Sequence, residues 1–160
     1  MLIRALAPAD ADVDACDAIA RGLPEWFGLE HGLVECSRAV REDSGFAVLE
    51  DGAVAGFATL RRATDAALDI TWLAVERARH GRGLGRALVE AAAARADAEG
   101  ATFLTAWTLA ASDPDPHYAA TRAFYARLGF AAAAEADIWG PENPAVLLVR
   151  SVTHVRGPLT

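Results

Sequence analysis

Apolar and polar positions change period several times along the chain, and each change marks an element. Residues Met1 to Leu6 alternate weakly and stop at Pro8, which reads as a strand followed by a helix start. From Asp10 to Arg21, Val13, Ile19 and several alanines recur at helical spacing with acids early, until Gly22 and Pro24 end the run. A short aromatic segment, Leu23 to His31, leads into a second helical stretch that reaches about Arg41. Two helices and an aromatic link ahead of the main sheet are expected to act as a lid. Gly45 to Glu50 and Ala53 to Leu60 are β-type runs separated by Asp51-Gly52, a strong hairpin signal. A polar connection, Arg61 to Asp65, then precedes a strand over Leu68 to Val75.

Beyond that strand, glycines at 81, 83 and 85 open a helix that presents Leu84, Ala87, Leu88, Ala91 and Ala98 on one stripe and ends at Gly100. Thr102 to Leu109 reads as a strand rich in β-branched and aromatic residues. A proline-broken loop, A-S-D-P-D-P-H, leads to a helix from Tyr118 to Leu128, stopped at Gly129-Phe130. Phe130 to Glu135 and Ala145 to Val152 form a last pair of strands joined by I-W-G-P-E-N-P. With no internal repeat and no linker, this order predicts one α+β domain over residues 1–160 with a mixed sheet.

The 160 residues suffice for one domain with a core of its own and are too few for two. With 53% hydrophobic and 23% charged residues, the chain reads as globular. A formal net charge of −7 argues against nucleic acid as the main partner. No run of about 18 apolar residues and no basic, apolar leader is present, so no membrane association and a cytoplasmic location are expected. Cys16 and Cys36 are unclustered and read as buried thiols. All 15 basic residues are arginines, and the absence of lysine removes Schiff-base chemistry. No G-x-S-x-G element points to a serine nucleophile, and with His117 and His154 standing alone no metal site is expected.

Chemistry concentrates between Leu68 and Leu88, where a strand, a glycine loop and a helix follow one another. Glycines let the loop bring its backbone close to a ligand, and the first amides of the helix lack intrahelical acceptors. Such amides, at the positive end of a helix dipole, suit a phosphate or pyrophosphate. Arg77, Arg79, Arg82 and Arg86 cluster here, with no acid among residues 77–86. The dinucleotide fingerprint G-x-G-x-x-G fails, because residues 86 and 88 are Arg86 and Leu88.

This loop resembles the acyl-coenzyme A loop of the GNAT superfamily of N-acetyltransferases, Gln/Arg-x-x-Gly-x-Gly/Ala, here His80-Gly81-Arg82-Gly83-Leu84-Gly85 with His80 in place of Gln or Arg. A second stretch is similar to the same superfamily's Asn-x-x-Ala-x-x-Phe-Tyr-x-x-x-Gly-Phe: Phe124, Tyr125, Gly129 and Phe130 match, while Tyr118 and Thr121 stand at the Asn and Ala positions. The likeness extends over nearly the whole chain and implies a mixed, mostly antiparallel sheet of about seven strands flanked by about four helices. It implies acetyl-CoA as cofactor, held by Leu73, Ala74, Val75, His80, Gly81, Arg82, Gly83, Leu84, Gly85, Arg86, Tyr118 and Tyr125. The segments L-P-E-W-F-G and W-G-P-E-N-P look like a bacterial subgroup.

The implied reaction moves an acetyl group from the thioester to an amine of a small molecule or protein by direct transfer. Tyr125 would be the general acid to the departing sulfur, since a phenol of pKa about 10 stays protonated at neutral pH. An amide at Val75 or its neighbour would polarise the acetyl carbonyl. Asp69 would be the base, on one face with Thr71, Leu73 and Val75 by period two; Glu25, Glu30 and His31 are other candidates. Trp26, Phe27, Trp72, Trp107 and Trp139 would give the acceptor side an apolar character if several border it. A catalytically weak acyl-CoA sensor, a donor longer than acetyl and a homodimer paired through a closing strand remain alternatives.

Overall fold

The computed structural model describes residues 1–7 and 9–152, so Pro8 and His154 of the sequence reading lie outside the described residues. The elements follow the predicted order. They are β1 (Leu2–Ala5), α1 (Asp10–Arg21), α2 (Glu30–Glu42), β2 (Ser44–Glu50), β3 (Ala53–Thr64), β4 (Ala67–Val75), α3 (Leu84–Ala98), β5 (Phe103–Leu109), α4 (Pro116–Arg127), β6 (Ala131–Ala136) and β7 (Ala145–Ser151). One seven-stranded sheet runs β1-β2-β3-β4-β5-β7-β6. Its neighbours pair antiparallel except β4 with β5. The α+β class and the mostly antiparallel seven-stranded sheet with four helices are as expected.

Local chemistry accounts for the boundaries. Asp51 and Gly52 both have positive φ, 54° and 80°, the backbone that a two-residue hairpin turn requires between β2 and β3. β3 does not stop at Leu60: Arg61–Thr64 are exposed yet continue the strand, with Arg61, Arg62 and Thr64 paired to β4, so the expected polar connection is strand up to Thr64. Helix α4 begins two residues before Tyr118, with Pro116 in its first turn and Asp115 accepting from the His117 amide. On α3 the buried stripe is Leu84, Leu88, Val89, Ala92, Ala93 and Ala96, whereas Ala98, expected on the stripe, is exposed.

Two apolar layers sandwich the sheet. On one face Leu68, Ile70 and Val75 of β4 join α3, Tyr125 and Phe130 in one cluster, with Leu73 packed against it. On the other, Ala47, Phe57 and Ala74 pack with Val13, Cys16, Leu33, Cys36 and Val40 of α1 and α2, with Trp72 against them. Near the start of α1, Asp12 accepts two hydrogen bonds from Arg4 at 2.7 Å each and one from the Ala7 amide at 3.0 Å, tying β1 to that helix.

Strand β4 changes phase in its middle. Thr59 pairs with Trp72 and Leu60 with Ile70, which leaves Thr71 as an inserted residue, a β-bulge. The Thr71 hydroxyl lies 2.7 Å from that of Thr59, pinning the bulge. Leu68 and Ile70 before the bulge therefore share a face with Leu73 and Val75 after it, while Asp69 and Thr71 share the other with Trp72 and Ala74. The uninterrupted alternation expected for Asp69, Thr71, Leu73 and Val75 is thus corrected.

The end of β4 is set against β3 by a close approach at Gly56. A Cβ there would stand 2.8 Å from the Ala74 carbonyl oxygen and 3.0 Å from a Val75 methyl. Gly56→Ala is accordingly expected to cost about 1–3 kcal/mol, the usual range for overpacking. Urea unfolding monitored by circular dichroism would measure it, and an unchanged midpoint would contradict this packing.

Candidate active site

Strands β4 and β5 pair in parallel only from Ala67↔Phe103 to Ile70↔Ala106, yet β4 runs on to Val75 and β5 to Leu109. Past the bulge the two strands part, and the β5-facing edge of β4 has no strand partner. The Ala74 carbonyl points to β3, and Glu76 N–H donates to Ala55 O of β3 at 2.8 Å. By alternation, Leu73 and Val75 turn their main-chain groups to the open side, whereas Ala74 turns its own to β3. Of the three β4 residues expected against a pantetheine arm, the structure therefore offers the main chain of two.

The glycine loop continues from this edge. Gly81 and Gly83 have φ of 76° and 80°, and nothing lies within 4 Å of a Cβ built on either. Among the described residues, the amides of 81–86 donate to no main-chain or side-chain acceptor; the first bond of the helix is Ala87 N–H to Gly83 O at 3.0 Å. A loop followed by an uncapped helix start thus presents a continuous run of free donors, as an anion site requires. Gly85 serves packing, since its Cβ would meet the Phe124 ring of α4 at 3.3 Å. The Leu84 side chain is buried beneath the loop, so only its amide is open to a ligand.

The cations are arranged differently from expectation. Acids distant in sequence reach three of the four arginines: Arg77 is paired with Glu25, Arg79 with Glu50 and Glu76, and Arg82 with Glu50 at 3.1 Å. Arg86, exposed in the first turn of α3, has no ion pair among the described residues. His80 is tied to the strand that precedes the loop. Its Nε2 lies 2.7 Å from the Val75 carbonyl, clamping the loop back onto the strand end.

Above this edge sits the link between α1 and α2. Trp26 donates from Nε1 to Thr121 Oγ1 at 3.1 Å, and its ring meets His117 edge-on at 5.1 Å and His80 at 6.3 Å. Tyr118 donates its hydroxyl to the Trp26 carbonyl at 3.3 Å. The aromatic link thus straps the loop to α4, and Tyr118 bonds the strap. Phe27 stacks on Trp72 at 5.7 Å, while Trp139 stands exposed at the β6–β7 turn, away from the other aromatics. Hollows of about 300 Å³ at that turn and about 210 Å³ between α4 and β6–β7 do not include the glycine loop, which forms an open surface cradle.

Tyr125 and Asp69 flank the parting of β4 and β5. Tyr125 is buried between Phe124 and Phe130, each ring 5.1 Å away. Burial, with the Asp69 charge adding to it, raises its phenol above the usual value and keeps the proton on. Asp69 accepts from Thr105 Oγ1 at 2.7 Å; its carboxyl is pushed up from 3.8 to about 6, chiefly by burial, with the Thr105 bond and the Arg61 charge opposing. The other candidate bases lie elsewhere: Glu25 is bound to Arg77, Glu30 to Arg21, and His31 is exposed on α2. Among the described residues, no group of three or more His, Cys, Asp or Glu could hold a metal ion, and no helix is long and apolar enough to cross a membrane.

A family model for an acetyltransferase (GNAT) domain matches residues 42–132, and the chain belongs to that family, whose acyl donor is acetyl-CoA. The fold is similar to that of a crystal structure described as a GNAT acetyltransferase from Desulfovibrio desulfuricans: 23% identity, 95% of this chain and 99% of that one covered, TM-score 0.81. It is also similar to the ribosomal-protein-S18-alanine N-acetyltransferase of Escherichia coli, with 20% identity, 99% of each chain covered and a TM-score of 0.74. An aminoglycoside 6′-N-acetyltransferase solved with coenzyme A shares 14% identity over 96% of this chain and 98% of that one, TM-score 0.73. No curated protein matches the sequence significantly.

Two outcomes follow from this geometry. Arg86→Ala is expected to weaken coenzyme A binding several-fold in isothermal titration, with Arg77→Ala nearly silent and Gly83→Asp abolishing binding by placing a carboxylate before the free amides. Equal losses at Arg77 and Arg86 would contradict the pairing described. The second outcome concerns stability. A carboxyl whose folded-state pKa is raised favours the fold below its unfolded value and loses that contribution as pH rises through about 6. Asp69→Asn should therefore stabilise the protein by up to about 3 kcal/mol near pH 8 and by almost nothing near pH 4, as read from melting curves.

Proposed function

We propose that residues 1–160 form a single N-acetyltransferase domain that transfers the acetyl group of acetyl-CoA directly to an amine. The observation that carries this reading is the continuity of the free amides of 81–86 with the unpaired edge of β4. Together they match a molecule with a diphosphate at one end and an amide-bearing arm at the other. In this reading the loop and Arg86 hold the phosphates, with Arg82 joining them on leaving Glu50, and Leu73 and Val75 pair with the arm like an added strand. His80 supports the loop through Val75, and Tyr118 contributes by holding the strap.

When bound, acetyl-CoA supplies an acyl thioester that an amine can attack. The main-chain N–H of Val75, turned to the open side, donates to the acetyl oxygen as charge develops there; one such donor commonly contributes about 3 kcal/mol of transition-state stabilisation. Asp69 takes the proton that the amine nitrogen sheds, directly or through one water. Tyr125 gives its phenolic proton to the departing sulfur, the phenol being protonated at neutral pH. Around Asp69 the sheet face presents Trp107 and Leu147, on strands with which α1 and α2 make few or no contacts. That surface fits an acceptor that pairs one amine with an apolar body.

The test is a thermal-shift series with coenzyme A, acetyl-CoA and longer acyl-CoAs, followed by thiol release over a panel of primary amines. Acetyl-CoA binding with amine-dependent thiol release is expected, and binding without release for any amine would make the protein an acyl-CoA sensor instead. With an active amine, Tyr125→Phe should lower turnover at least tenfold while leaving cofactor affinity nearly unchanged. Turnover of the unaltered protein should rise with pH through about 6 as Asp69 loses its proton, and Asp69→Asn should remove that limb.

A further inference from the structure

The proposed base is held by a neighbour that no motif marks. Asp69 and Thr105 face each other in register on β4 and β5, one position before the last pair that the two strands form. Thr105 is 6% exposed, and its hydroxyl donates to Asp69 Oδ1 at 2.7 Å. The same hydroxyl is 3.4 Å from the Leu68 carbonyl, and its single proton goes to the nearer, charged acceptor. Asp69 Oδ2 has no partner among the described residues and is not sealed from solvent. One carboxylate oxygen is therefore anchored while the other is free to accept a proton.

We propose that Thr105 is a positioning residue for Asp69: its hydroxyl holds Oδ1 so that the carboxylate stays ionised and keeps Oδ2 free for the acceptor's proton. This rests on the reading of Asp69 as the base. The groups facing Asp69 from the other elements show why a donor is needed there. Arg61, its register partner on β3, has its guanidinium bonded to Asp43 at 3.0 Å, so its charge is shared. Tyr125 on α4 is uncharged, and the bulge hydroxyl of Thr71 is engaged with Thr59. Thr105 is the one neutral donor bonded to this carboxylate among the described residues, and a hydrogen bond to the charged form favours ionisation.

Thr105→Val keeps the shape of the side chain and removes the donor; Thr105→Ser keeps the donor. For Thr105→Val the pH of half-maximal turnover should rise by about one unit, with an activity loss of roughly tenfold on the acid side that shrinks as pH increases. Thr105→Ser should restore the original profile, and KM for acetyl-CoA should stay within about twofold. A carbon-13 NMR titration of the Asp69 carboxyl, run on protein without acetyl-CoA, reads the same effect independently of turnover, and a melting curve confirms folding. An unmoved Asp69 titration, or a loss equal at every pH, overturns the inference. A titration that moves while the turnover profile does not overturns the assignment of Asp69 as base, and the positioning role with it.

Discussion

The structure depends on a partial pairing: β4 and β5 lie parallel for four positions and then separate, although both strands continue. Parallel neighbours joined through a crossover helix ordinarily close along their length. Here the inserted Thr71 twists β4 away just where the pairing ends, as bulges do. The main chain of Leu73 and the N–H of Val75, whose carbonyl is held by His80, are left without strand partners at this opening. Buried polar groups without partners are costly, so this edge calls for either solvent or a ligand with amides of its own.

Around that opening the chain divides its labour. Backbone supplies the binding surface, through β4 and the amides of 81–86, and glycine is required at 81 and 83 because their φ is positive. Side chains serve mainly to hold that backbone in place, as His80 does from the loop and Trp26 from the strap. The acids reaching into the loop, Glu25 and Glu50, neutralise arginines that would otherwise repel one another when no anion is present. Beside the opening, Asp69 and Tyr125 combine burial with a proton to exchange, and the Asp69 charge adds to the rise of the Tyr125 phenol.

Much of this was legible in the sequence because it is local. The Asp51-Gly52 turn, the glycine run ahead of α3 and the order of elements are all set within a few residues. The features that escaped are non-local or invisible to alternation. A bulge adds one residue without disturbing the apolar count, so Leu73 and Val75 seemed to share a face with Asp69. The partners of Arg77 and Arg82 lie 52 and 32 residues away, and a cation cluster read along the chain says nothing of acids that fold onto it. Thr105 carries no motif, and only the β4–β5 register brings it to Asp69.

The bulge also gives β4 one residue of slack. Deleting Thr71 would restore an even pleat and leave Trp72 to Val75 on the faces they occupy now, because Ile70 and Trp72 already lie on opposite sides of the sheet. What would go is the added twist that carries β4 away from β5, and with it the opening rather than the core.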